Sequence, residues 1–109
     1  MSQSEFDTAI EQTLIAIEDA IDECRWDIDY ERSDAVLTLT LEENGSQVIL
    51  SRQSANRELW VAARSGGYHL AFCASGTGWK CTSTGEDLPT LLQRVLTEQQ
   101  GEPVVLNIQ

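Results

Sequence analysis

The sequence predicts an α+β fold, a two-layer α/β sandwich in which helices at the two chain ends cover one face of an antiparallel sheet of five to six strands. Three observations predict it. Apolar residues recur at helical spacing over residues 4–24 and again over 88–100. Between these stretches, short segments alternate apolar and polar residues with period two. Turn signals separate those segments at short intervals. The 109 residues suit one domain spanning 1–109, and a hydrophobic content of 41% is ordinary for a chain that folds around a core.

The first helix is expected over residues 4–24. Ser4 offers an N-cap, with Glu5 and Asp7 in the first turn, where the helix dipole favours acids. Phe6, Ile10, Leu14, Ile17, Ile21 and Cys24 form the core stripe. At about 100° per residue, Asp7, Glu11, Glu18 and Asp22 gather on the opposite side, flanked by Asp19 and Glu23. Ile15 lies among them, with nothing in the pattern to account for it.

Strands are expected next. Trp26–Arg32 sets Trp26, Ile28 and Tyr30 on one face and Asp27, Asp29 and Glu31 on the other. Ser33-Asp34 turns the chain into Val36–Leu41. Asn44-Gly45 signals a two-residue type I′ hairpin, which needs positive φ at both positions. Gln47–Arg52, Glu58–Arg64 and Tyr68–Ala74 follow, with Gly66-Gly67 between the last two. A turn at Ser75–Gly78 leads to Trp79–Ser83. The second helix should begin after an Asp87 cap, carry Pro89 in its first turn, and end at Gly101. Leu88, Leu91, Leu92, Val95 and Leu96 make its stripe. The apolar tail Val104–Ile108 should dock.

Charge is the unusual property. Residues 1–43 hold thirteen acids against two bases, which alone supplies the whole net charge of −11. This disfavours nucleic acid and membranes as partners, since both attract basic surfaces. It favours cations or a basic protein surface. If the first helix and first strand lie side by side, Glu11, Glu18, Asp19, Asp22, Glu23, Asp27 and Asp29 form one acidic ridge. Oxygen-only donors suit hard cations and discriminate poorly among them, so such sites should be several, shallow and weak.

Trp60 is the second informative residue. Its strand face reads Glu58, Trp60, Ala62, Arg64, whereas the alternate face reads Leu59, Val61, Ala63. Trp60 should therefore stand on the open side of the sheet, beside Arg64, as an interface anchor. His69 should face the same way. Cys24, Cys73 and Cys81 have no metal-ligand spacing; an odd count suggests reduced thiols and a cytoplasmic setting. Cys73 and Cys81 could oppose each other across the last hairpin. The start, MSQSEFD, lacks the features of a signal or transit peptide.

Several stretches together resemble the frataxin family in its bacterial form: SEFD, IEDAID, VLTLTLEENGSQVILSRQ, LWVAARSGGYHLAF and TEQQGEPV. The tryptophan–small-residue run ending in GGYH is the specific part. The resemblance implies the sandwich already read. It also implies a cytoplasmic iron-binding adaptor or chaperone of iron–sulfur cluster assembly. Ferrous or ferric iron would sit weakly on the ridge positions named above, with other divalent cations as competitors. The implied partner is the cysteine desulfurase IscS with its scaffold complex, met through Trp60, Arg64, Glu18 and Asp22 by a monomer, with iron-driven oligomerisation left open. Two rival readings are a ferroxidase or iron-storage enzyme, and a metal-independent acidic mimic that blocks a basic surface.

Overall fold

The computed structural model describes residues 2–73 and 78–108. The helix α1 spans Gln3–Glu23. Six strands follow: β1 (Ile28–Ser33), β2 (Val36–Leu41), β3 (Gln47–Gln53), β4 (Glu58–Ala63), β5 (Gly66–Cys73) and β6 (Gly78–Cys81). The helix α2 spans Leu88–Gln100. The strands pair antiparallel in chain order, β1 to β6, as the expected meander.

Both helix starts have a local cause. Ser2, not Ser4, caps α1: its hydroxyl accepts the Glu5 N–H at 3.2 Å, while the Glu5 carboxylate accepts the Ser2 N–H at 3.0 Å. That reciprocal pair needs a side chain of glutamate length three residues on. Ser4 has the shorter Asp7 there, which instead accepts from Gln3. Asp87 caps α2 through Thr90, and Gly101 closes it with φ +83°.

Two turns differ from expectation. Asn44-Gly45 belongs to a five-residue connection between β2 and β3, in which Gly45 alone takes positive φ. The Gly45 N–H reaches back to the Leu41 carbonyl, while the Asn44 side chain accepts the Ser46 N–H at 2.9 Å and donates to the Gln99 carbonyl at 2.8 Å. A local bond and a tertiary bond from the same side chain thus hold this longer connection. Gly66-Gly67 is not the β4–β5 turn either. Ala63 pairs with Gly66, so Arg64-Ser65 makes the turn and the glycines open β5. The expected Ser75–Gly78 turn falls mainly outside the described residues. Cys73 pairs with Gly78 and Cys81 with Leu70, so the two cysteines do not oppose each other.

The core follows from the alternation. Leu37, Leu39, Leu41, Val48, Leu50, Leu59, Val61 and Leu70 bury one sheet face against Phe6, Ile10, Leu14 and Ile17 of α1 and Leu91, Leu92, Val95 and Leu96 of α2. Cutting back one such leucine costs about 2–5 kcal/mol. Trp79 joins this core, edge-on to Phe6 at 6.0 Å, and its indole N–H finds the Thr13 hydroxyl at 2.9 Å. The tail docks without forming a strand. Val104 and Leu106 are buried, and their N–H groups bond Thr97 and Gln93 of α2. Asn107 meets Ala16, Asp19, Ala20 and Glu23 in a groove along α1.

Gln99 ties the far end together. It is the buried polar residue among the described side chains, at 5% exposure. Its amide donates to the Ser46 hydroxyl and the Gln47 carbonyl, and its oxygen accepts the Arg64 N–H. One side chain thereby joins α2 to two separate sheet connections. Gln99→Leu should destabilise the fold by about 1–3 kcal/mol in urea unfolding, since it strands those partners in a half-dry place. A loss below about 0.5 kcal/mol would show the latch to be idle.

A second latch contributes to the acid limb of stability. Arg94 grips Glu86 with two bonds of 2.8 and 2.9 Å and lies 5.3 Å from the centre of the Tyr68 ring. The Arg94 bond holds the Glu86 carboxyl below its ordinary value of 4.5. The bond from Thr90 likewise lowers Asp87. Depressed carboxyls stabilise fully above their unfolded values, and that contribution fades as pH falls through the folded ones. Thermal stability should therefore fall below about pH 4.5, and Glu86→Gln should flatten that limb while lowering the plateau at neutral pH. Parallel pH curves for parent and variant would refute this assignment.

Candidate functional site

The apolar stripe of α1 turns its polar side outward along one sheet edge. That edge is β1, and the two elements touch through specific side chains. On β1 the inward positions are Ile28, Tyr30 and Arg32, but at the edge only Ile28 is fully covered. Tyr30 donates its hydroxyl to Asp22 at 3.1 Å. Arg32 gives a two-pronged bond to Glu11, at 2.9 and 2.8 Å, and its Nε lies 3.1 Å from Glu18.

The predicted ridge positions are distributed as follows. Glu11, Asp19, Asp22 and Glu23 are exposed on α1, and Glu18 is tucked against β1 with 16% of its side chain exposed. Asp27 lies just before β1 and is exposed, as is Asp29 within it. Alternation sends Asp29 and Glu31 to the opposite side of the strand from Tyr30 and Arg32. The carboxylates therefore wrap around the edge instead of lining one flat surface. Asp7 stands apart from the others, 3.5 Å from Arg52.

Electrostatics follow the contacts. The Arg32 bond lowers the Glu11 carboxyl below the ordinary glutamate range, and the same bond raises the Arg32 guanidinium. The bond to Asp22, with the nearby charges of Glu18 and Asp19, pushes the Tyr30 phenol up. Among the described residues, no three His, Cys, Asp or Glu side chains converge into a ready ligand set. A hard cation on this ridge would keep much of its water shell and take one or two carboxylates at a time.

The open sheet face carries the second predicted feature. Trp60 lies flat, stacked on His69 of β5 with ring centres 4.1 Å apart and an interplanar angle of 6°. Its indole N–H donates to Glu58 at 3.0 Å, and His69 Nδ1 is 3.9 Å from the same carboxylate oxygen. Trp60 is half-buried by these neighbours, not a free-standing ring. Arg64 is exposed, but β4 ends at Ala63, so it sits in the following turn and does not continue the Trp60 row. Trp60 is three strands away from β1, roughly 14 Å across the sheet at ~4.8 Å per strand. The ridge and the tryptophan thus adjoin only through the width of that face.

Sequence reasoning missed Arg32 as the internal counter-ion of the ridge. A signal was present: Arg32 shares its alternation with Ile28 and Tyr30, so it had to point toward the helix side. The Glu58–Trp60–His69 cluster was also readable in part, because both aromatic rings were expected on the open face.

Comparison with known proteins agrees with this geometry. A family model described as the frataxin-like domain matches residues 1–102. The iron–sulfur cluster assembly protein CyaY of Stutzerimonas stutzeri is 44% identical over 102 residues, covering 94% of this chain and 92% of that protein. Its namesake in Vibrio cholerae is 43% identical over 104 residues, covering 95% and 97%. The solved structure of the frataxin from Psychromonas ingrahamii, studied within the CyaY protein family, superposes with a TM-score of 0.85 at 30% identity, covering 96% of this chain and 97% of that one. Sequence and fold agree over nearly the full length, and the chain belongs to the frataxin-like family.

Proposed function

We propose that this protein is an iron-binding adaptor of iron–sulfur cluster assembly, one that takes iron weakly on its acidic ridge and modulates a cysteine desulfurase in the cytoplasm. The observation that carries the reading is the ridge itself: four exposed carboxylates and the largely covered Glu18 on one helix, with Asp27 just before the edge strand and Asp29 within it, in a chain of this family. The names of the relatives supply the pathway. No enzymatic step is assigned.

The chemistry of the donors supports cargo binding over tight storage. Carboxylate oxygens suit ferrous and ferric iron, and the absence of a converging ligand set among the described residues favours exchange. The same charge would steer encounter with a basic patch on the desulfurase, an effect seen mainly in association rate and salt dependence. Trp60, half-covered on the open face, would add buried apolar contact once the partner is seated.

Two outcomes test the reading. Crowded carboxylates repel, so the melting temperature should rise with salt, and rise further with divalent ions at equal ionic strength, because a bound cation stabilises the folded state. A response that is flat to both would remove the electrostatic basis. Separately, Glu18→Lys with Asp22→Lys should weaken desulfurase binding and flatten its salt dependence. Trp60→Ala should cost about 2 kcal/mol of affinity for the desulfurase–scaffold complex while leaving the salt slope largely intact. Titrations of both folded variants should show this split; parent-like binding by both would sink the proposal.

A further inference from the structure

Asn44 and Gly45 are the chain's one Asn-Gly pair, and both are exposed in the β2–β3 connection. The other asparagines, Asn56 and Asn107, precede Arg57 and Ile108, whose side chains crowd the next backbone nitrogen. Glycine has no Cβ beside that nitrogen, so the nitrogen can swing onto the asparagine side chain. The reaction needs only water. Gly45 N gives its proton to solvent and bonds to Asn44 Cγ. The Cγ–Nδ2 bond breaks, and ammonia leaves. Water then opens the cyclic imide at either carbonyl, giving aspartate or isoaspartate. In the second product the chain runs through the former side chain.

The fold places a hydrogen bond on each of the three groups involved. The Ser46 N–H lies 2.9 Å from Asn44 Oδ1, where negative charge gathers as the nitrogen adds, so this bond assists the attack. The other two resist it. The Gly45 N–H, whose proton must depart, is held by the Leu41 carbonyl at 2.7 Å. Asn44 Nδ2, the leaving group, donates to the Gln99 carbonyl at 2.8 Å. Gln99 sits in the last turn of α2, where carbonyls have no partner within the helix. Asn44 is therefore a cap for α2 supplied by a distant connection. The Gln99 amide reinforces the joint through Ser46 and Gln47, and Gln100 donates to Glu43.

We infer that Asn44-Gly45 is a deamidation site held in check by the end of α2, and that its conversion unfastens that end for good. When the end of α2 lifts, the restraint on the leaving group goes while the assisting Ser46 bond stays. The product cannot restore the joint. Aspartate has no donor for the Gln99 carbonyl, and its charge falls at the negative end of the helix dipole, next to Glu42 and Glu43 in the chain. Isoaspartate also lengthens the connection by one backbone carbon. The loosening should reach the tail, because the Val104 N–H is held by Thr97 in the same last stretch of α2.

The test incubates the full chain in mildly alkaline buffer, folded and in urea. Added negative charge is read by ion exchange, its position by peptide mapping, and isoaspartate by enzymatic methylation. In urea, Asn44 should convert well ahead of Asn56 and Asn107. In the folded parent, conversion should be at least about tenfold slower, because it waits for local opening. Gln99→Leu, which loosens the joint without removing the reacting groups, should recover several fold of that difference. Ile10→Val with Ile17→Val, which loses stability through α1 and leaves the joint intact, should stay near the parent rate. Asn44→Asp, the product made directly, should melt about 4 °C lower, the shift expected for a lost cap. Its amide exchange at Gly101 and Val104 should be faster than the parent's. Equal rates in buffer and urea, or no conversion in either, would overturn the inference. So would equal acceleration in the α1 variant and Gln99→Leu, which would leave global unfolding as the gate. Parent-like melting and exchange in Asn44→Asp would show that conversion unfastens nothing.

Discussion

One-sided burial of the sheet is the constraint on which the rest depends. The inward leucines and valines of β2 to β5 are fully covered by α1 and α2. Both helices therefore occupy the same face, and the other face has no layer of its own. Everything that looks functional is a consequence. Trp60 and His69 are left on the uncovered side. The acids of α1 can go nowhere except outward along the edge, because the apolar stripe has fixed the rotation of the helix. A polar residue in that stripe would turn α1, and with it the whole ridge.

The edge strand shows how the two surfaces are joined. At the centre of the sheet, inward positions are buried aliphatics. On β1 the inward row becomes Ile28, Tyr30 and Arg32, increasingly polar toward the strand end. This works because α1 covers the edge only partly, so a long side chain can bury its stem and keep its head in water. An inward charge on an edge strand also discourages pairing with another sheet. Arg32 serves both ends: it protects the open edge and anchors the helix above it.

Much of this was legible from residue order. Strand count, meander topology, the α2 boundaries and both apolar stripes follow from periodicity, since burial imposes the periodicity in the first place. The ridge was legible for the same reason, as the complement of the α1 stripe. What could not be read depended on contacts between segments distant in sequence. Asn44 follows hairpin chemistry in isolation, but Gln99 lies 55 residues away and its carbonyl takes the Asn44 amide donor. Arg64 continues an alternating row on paper, whereas the turn between β4 and β5 starts two residues earlier than the glycines suggest. Arg32 reads in the sequence only as a charge, because Glu11 and Glu18 become its neighbours only when α1 packs on β1.

The charge pattern of α1 also argues that stability alone did not shape it. Acids in the last turn of a helix oppose the dipole, each costing roughly 0.3–1 kcal/mol, and like charges four apart cost a further ~0.2–0.5 kcal/mol per pair. Asp22 and Glu23 bear the first cost, and Glu18 with Asp22 bears the second. A sequence tuned for folding would place lysine or arginine at these positions. The fold instead recovers some stability where Arg32 clamps Glu11 and Glu18, and leaves the dipole-opposed end uncompensated. Repulsion is thus concentrated in the last turn of α1 and offset further back along the helix, where Arg32 meets Glu11 and Glu18.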